Sequence, residues 1–166
     1  MSRIFKAPKR HPVGDKNSNT RIFLAGSIDM GKAVNWQDQV TNALLDYDVD
    51  IYNPRRDDWD STWEQKIDNP KFNEQVTWEL DNIENADIVV FYFDPSGPAP
   101  ITLMELGISA ARQGLAAVAH LIVCCPEGYF RKGNVDILCQ RYDISQVPDL
   151  ESLIAQLKED LERWYV

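Results

Sequence analysis

The sequence predicts a doubly wound α/β domain, a parallel sheet with helices on both faces. Two observations carry this. Short apolar runs alternate along the chain with segments of helical period, the pattern of successive β-α units. One run, Asp87-Ile-Val-Val-Phe-Tyr-Phe93, is apolar at successive positions, and a strand apolar on both faces belongs in the middle of a parallel sheet. The length agrees: 166 residues fit one domain and bury a core without staples.

The elements follow in order. Residues 1–21 hold six Lys/Arg and one acid, and the polar stretch from Lys6 to Thr20 carries Pro8, Pro12 and Gly14 without periodicity. Residues 1–20 are therefore expected to form a flexible basic arm, and residues 21–166 a single α/β domain. Arg21-Ile-Phe-Leu-Ala25, closed by Gly26-Ser27, reads as a buried strand entering a loop. Residues 35–47 read as a helix, with Trp36, Val40, Ala43 and Leu44 at spacings of three and four. Residues 48–52 read as a strand, stopped by Asn53-Pro54, and residues 55–70 as a long functional loop. Residues 72–86 give a helix with an apolar stripe of Val76, Leu80 and Ile83. The strand over 87–93 leads into a Pro/Gly loop over 94–100, then a helix from about Thr102 to Gln113, ended by Gly114. Residues 120–125 read as a buried strand, 137–142 as a short strand or turn, and 150–164 as a terminal amphipathic helix. Ligands of such sheets bind beyond the carboxyl ends of the strands, so the loops at 26–32, 53–70 and 94–100 are the candidate site.

Composition removes several classes of function. The net charge of −9 argues against binding a nucleic-acid polymer, which needs a basic face. No apolar run is long enough to span a membrane, and the basic N-terminus lacks the apolar stretch of a secretory signal. Three cysteines, Cys124, Cys125 and Cys139, read as reduced thiols of a cytoplasmic protein, and no Cys/His spacing suits a metal.

Four groups of residues carry chemistry. Glu105 stands in the first turn of the helix after the central strand, where the helix dipole and free N–H groups favour its ionised form. It either complements that dipole or serves as a nucleophile toward an anomeric carbon. Glu79, beside the apolar stripe of the preceding helix, is either a solvated carboxylate or a proton-exchanging group at the pocket mouth. Gly26-Ser27 allows close approach of a ligand, with N–H groups for a phosphate or hydroxyl, but it is not a dinucleotide fingerprint. The run Asn53-Pro-Arg55-Arg56-Asp-Asp-Trp59 joins guanidinium groups to an aromatic able to stack on a base, or else pairs its own charges under a hydrophobic lid.

Together these residues resemble one family. Ile22-Phe-Leu-Ala-Gly26-Ser27-Ile28, Asn53-Pro54-Arg55-Arg56, Gln75-Val-Thr-Trp78-Glu79-Leu80, Ala86-Asp87-Ile-Val-Val and Pro100-Ile-Thr-Leu-Met-Glu105-Leu-Gly107 are similar to the nucleoside 2-deoxyribosyltransferases, in their divergent 2-deoxyribosyltransferase-like branch. The resemblance covers roughly residues 20–145. It implies a flavodoxin/Rossmann-like fold, a homodimer or larger oligomer with shared sites, nucleosides and free nucleobases as substrates, and no cofactor or metal. It implies that Glu105 is the nucleophile and that Glu79 protonates the base. It also implies that Phe23 and the Gly26-Ser27 turn face the pocket, and that Asn134 reaches a neighbouring subunit's site. One departure is Ala99, where many members hold the sugar hydroxyls with an aspartate. Another is Lys32, the lone cation where a related 5′-monophosphate hydrolase group carries arginine. Transfer of deoxyribose between bases, hydrolysis of the same bond, and nucleotide binding without turnover are the competing expectations.

Overall fold

The computed structural model of the chain describes residues 1–12, 19–28, 34–113 and 119–164. In order, the elements are β1 (Arg3–Lys6), β2 (Thr20–Gly26), α1 (Trp36–Ala43), β3 (Val49–Asn53), α2 (Pro70–Asn85), β4 (Ile88–Tyr92), α3 (Pro100–Arg112), β5 (His120–Cys124), α4 (Lys132–Arg141), β6 (Ser145–Val147) and α5 (Leu150–Trp164). The six strands form one sheet, ordered β1-β3-β2-β4-β5-β6, and every pairing is parallel. Leaving β1 aside, this is the doubly wound order of flavodoxin-like sheets.

Alternation along the strands supplies both cores. Ile22 and Leu24 of β2, with Ile88, Val90 and Ile122, face α1 and α5 through Trp36, Val40, Leu153, Leu157 and Leu161. Phe23 and Ala25, with Val89, Phe91 and Val123, face α2, α3 and α4 through Trp78, Ile83, Leu106, Ala110 and Val135. All five residues of β3 and of β4 are buried, as the absence of polar alternation in 87–93 requires.

The chain leaves β2 for β3 on one side and then crosses back to β4 on the other, so the strand order reverses between β2 and β4. The carboxyl ends of these two strands, Gly26 beside Tyr92, mark the switch point at which a crevice opens. Glycine is required there by space. A Cβ on Gly26 would lie 2.5 Å from the Trp36 ring and 2.6 Å from the Tyr92 carbonyl oxygen.

Several expectations are corrected. Residues 3–6, expected in a flexible arm, are strand β1, in register with β3 as Arg3 to Asp50 and Ile4 to Ile51. Phe5 is buried and stacks on Tyr52, with ring centroids 5.2 Å apart. Of the arm, residues 13–18 with Gly14 lie outside the described residues, as do Lys32 and Gly114. Residues 137–142 fall mostly within α4, not in a strand, and β6 follows them. The stripe of α2 is rotated: Gln75, Trp78 and Ile83 are its buried residues, while Val76 and Leu80 turn toward the crevice. Helix α3 begins at Pro100, which puts Glu105 in the second turn and not the first.

The seat of β1 is electrostatic as well as apolar. The Asp50 side chain is wholly buried and accepts Arg3 Nε at 2.7 Å and Arg3 Nη2 at 2.6 Å. It also meets Asn19 Nδ2 at 3.2 Å and His11 Nε2 at 3.0 Å. Burial alone would raise its carboxyl, but these hydrogen bonds outweigh burial and hold it below the ordinary carboxylate range. A depressed carboxyl contributes stability above its unfolded value and loses it as pH falls through the folded one. Asp50→Ala, which strands the Arg3 charge, is expected to cost about 3–5 kcal/mol in urea unfolding at neutral pH. The difference from wild type should shrink as the measurement moves into strongly acidic buffer.

Candidate active site

The crevice is a cavity of about 610 Å³, walled by the loops after β2, β3 and β4 and by α2 and α3. Its floor is the switch point. Ser27 N donates to Tyr92 O at 3.0 Å, so the seam between β2 and β4 continues one residue past the ladder. Ser27 Oγ accepts from Asp94 N at 2.9 Å, and Trp36 Nε1 donates to Ser27 O at 3.2 Å. The Ser27 backbone groups expected to hold a phosphate or hydroxyl are thus spent on joining loops. Asp94 extends the tie: Oδ2 accepts from Val34 N at 3.2 Å, and Oδ1 from Ser96 N at 2.9 Å.

Asn53 opens the second loop by accepting from Arg55 N with Oδ1 at 2.9 Å, an Asx turn at the strand end. The Arg55 guanidinium meets Gln37 Oε1 at 3.3 Å and lines the cavity. Arg56 is gripped by Asp58 at 2.8 and 3.0 Å, and its guanidinium carbon lies 5.1 Å from the Trp63 ring centroid. Trp63 packs against Trp59, which lines the cavity.

The third wall turns on Ala99. It is the N-cap of α3, buried, in the left-handed region at φ 41° and ψ 52°. That conformation costs a residue with a Cβ about 1–2 kcal/mol. Tyr129 Oη holds the preceding carbonyl, Pro98 O, at 2.7 Å. The helix then carries Glu105 to the cavity, one turn beyond Ile101 and Thr102.

Both candidate carboxyls line this cavity, Glu79 from α2 and Glu105 from α3. Burial pushes Glu79 up to about 7, against a lowering hydrogen bond from Gln75 Nε2 to its Oε1 at 2.8 Å. Burial raises Glu105 well above the ordinary range, and the nearby Glu79 charge raises it further. Desolvation thus prevails over the dipole effect expected from sequence, because Glu105 lies beyond the first turn and its side chain makes no hydrogen bond among the described residues. The pair resists carrying two negative charges and is suited to holding one proton between two roles.

Of the residues named from sequence, Glu105, Glu79, Gly26, Ser27, Arg55 and Trp59 line the cavity. Phe23, expected to face the pocket, is fully buried in the core with its ring centroid 6.2 Å from that of Trp78. Asn53 lies beneath the cavity as a turn residue. Asn134 is exposed in the first turn of α4, outside the lining. Sequence reasoning missed Gln75, although it stands four residues before Glu79 and so shares its helical face. Among the described residues no cluster of three or more His, Cys, Asp or Glu could hold a metal ion, and no helix is long and apolar enough to cross a membrane.

Charge burial at this site has a measurable cost. A carboxyl raised on folding has no effect below its unfolded value, opposes folding increasingly as pH rises from there, and exerts its full cost above its folded value. Glu79→Gln keeps an acceptor for Gln75 and removes the charge. It is expected to stabilise the fold by on the order of 2–3 kcal/mol at pH 8 and by little at pH 4, read from melting curves at both pH values.

Comparison with known proteins adds one finding. A family model described as nucleoside 2-deoxyribosyltransferase like matches residues 19–129, the span containing the switch point, all three loops and both carboxyls. No curated protein sequence matches the chain.

Proposed function

The chain belongs to the nucleoside 2-deoxyribosyltransferase-like family, and we propose that within it the protein moves 2-deoxyribose from one base to another through a covalent glutamyl intermediate. The observation that carries this is the pair of carboxyls in one cavity: Glu105 buried, its side chain without a hydrogen-bond partner among the described residues, and Glu79 half-buried and held at one oxygen. Glycosyl transfer with retention needs such a pair, one carboxylate as nucleophile and one group exchanging protons.

In this reading a Glu105 oxygen attacks C1′ as the glycosidic C–N bond breaks. The departing base takes the bonding electrons and a proton from Glu79. A second base then gives its N–H proton to the ionised Glu79, its nitrogen attacks C1′, and the ester bond to Glu105 breaks. In the empty site the Gln75 amide favours negative charge on Glu79. Substrate reverses that assignment, because positive charge growing at C1′ stabilises the Glu105 anion. Arg55 and Trp59 contact the substrate from the loop, with Gly26 and Ser27 forming the floor. The loop from 54 to 69 excludes water and leaves a slot for the base, which favours transfer over hydrolysis.

Exposed apolar surface supports the expected assembly. Ile101, Met104 and Ile108, spaced on one face of α3, are 55%, 49% and 38% exposed. Phe130 and Ile137 are exposed around Asn134. These faces pair in a homodimer or larger, with the partner subunit's Asn134 completing the cavity wall that Ile101 and Met104 begin.

Incubation with a deoxynucleoside and a different free base tests the activity, with the new nucleoside read by chromatography. Glu105→Ala should fold and lose at least about a thousandfold in rate, and brief mixing of wild type with substrate should leave a deoxyribosyl adduct on the Glu105 peptide. Sugar release at one rate with or without base, and no new nucleoside, makes the protein a hydrolase. Mixing the inactive Glu105→Ala and Asn134→Ala proteins should restore part of the activity through hybrid sites. Absence of recovery, with subunit exchange demonstrated, counts against sharing.

A further inference from the structure

Gln75 is buried, and its amide is committed at both ends. Nε2 donates to Pro54 O at 3.0 Å and to Glu79 Oε1 at 2.8 Å, which uses both of its hydrogens. Oε1 faces Arg56 Nη1 at a long 3.5 Å. The amide cannot turn over. Reversal would set its carbonyl oxygen against a carbonyl and a carboxylate, and its N–H groups against a guanidinium, around an amide that is itself buried. Arg56 is itself fixed by the two bonds to Asp58, by Glu74 at 3.7 Å and by the Trp63 ring. Only 4% of its side chain is exposed.

We propose that Gln75 is a positioning residue that ties Glu79 to the loop of residues 54–69, holding Oε1 so that Oε2 alone meets the substrate. The inference rests on the reading of Glu79 as the acid–base group and deepens it. A carboxylate with one oxygen committed makes a one-point contact with a base. It exchanges a single proton and does not clamp two N–H groups at once. The loop that walls the base slot also sets, through Arg56, the side on which the Gln75 amide presents its hydrogens.

The same contact keeps one group usable in both directions. Glu79 must give a proton to the first base and take one from the second. The charged groups lining the cavity with it are Glu105 from α3 and Arg55, Arg56 and Asp57 from the loop, while Glu74 on its own helix is paired with Arg56. Burial favours the protonated form of Glu79, and the Gln75 donor opposes it. Without that donor Glu79 keeps its proton at neutral pH, and uptake of the second base slows.

The test is a titration that needs no turnover. With glutamate carboxyl carbons labelled with 13C, the Glu79 signal is identified by its loss in Glu79→Gln and followed against pH. Gln75→Met should raise its midpoint by about one pH unit, and Gln75→Glu should raise it further. Base exchange by Gln75→Met at pH 7 should fall about fivefold and recover one pH unit higher, a rescue that loss of packing does not give. An unmoved midpoint in folded Gln75→Met overturns the link between Gln75 and Glu79. If Gln75→Met does not fold, Arg56→Met tests the link from the loop side, and an unmoved midpoint there overturns it equally. Full exchange activity in Glu79→Gln, with the midpoint still responding to Gln75, overturns the acid–base reading and removes the positioning role with it.

Discussion

The seam between β2 and β4 does not end where the sheet ends, and the cavity depends on that continuation. Ser27 N on Tyr92 O extends the ladder by one bond, and Ser27 Oγ takes the N–H of Asp94 from the next loop. The indole of Trp36, reaching over Gly26 to Ser27 O, presses close enough that no side chain fits at position 26. The loops after β2 and β4 and the start of α1 are joined by backbone and short polar groups. The carboxyls from α2 and α3 therefore meet over a floor that cannot rearrange cheaply.

Above that floor the balance of forces is reversed. The floor is rich in satisfied hydrogen bonds, while the walls bring Glu79 and Glu105 into a place that opposes their charge. The sheet cores on either side supply stability that the cavity consumes. Ala99 makes a similar concession, since its left-handed backbone starts α3 without a side-chain cap and sets the course of the helix that carries Glu105. Two carboxyls without a counter-charge thus share one crevice, whereas the buried carboxylates of Asp50 and Asp160 meet Arg3 and His120.

The strands of the middle of the sheet were legible because their side chains have apolar neighbours on both faces, and the sequence records this as uninterrupted runs such as Ile88 to Tyr92. The loops at the switch point followed from topology alone. Strand β1 was not legible, since Arg3-Ile-Phe-Lys6 gains its meaning only from Asp50, forty-seven residues away. Helix α4 was mistaken in part because Ile137-Leu-Cys139 places three apolar residues in a row on a helix with two buried positions, Val135 and Cys139. Phe23 lies on the cavity's side of the sheet but below it: alternation with Ile22 and Leu24 decides its face, but not whether that face is core or cavity at that depth. The charge state of Glu105 depended on where α3 begins, and two residues at a Pro-rich start moved it out of reach of the dipole.

Strand β1 also changes what the sheet shows to its surroundings. Without it the margin would be β3, five buried residues with an open row of backbone donors and acceptors, the kind of margin that recruits strands from other chains. β1 occupies that row and presents in its place a four-residue margin with a cation at each end, Arg3 and Lys6. Arg3 is paired with Asp50 and Lys6 with Asp57, so the new margin is short and its end side chains are already engaged, which leaves little for a strand of another chain to pair with. The buried carboxylate of Asp50 and the stack of Phe5 on Tyr52 hold this covering strand in place, so the edge beside β3 is closed by the same contacts that seat β1.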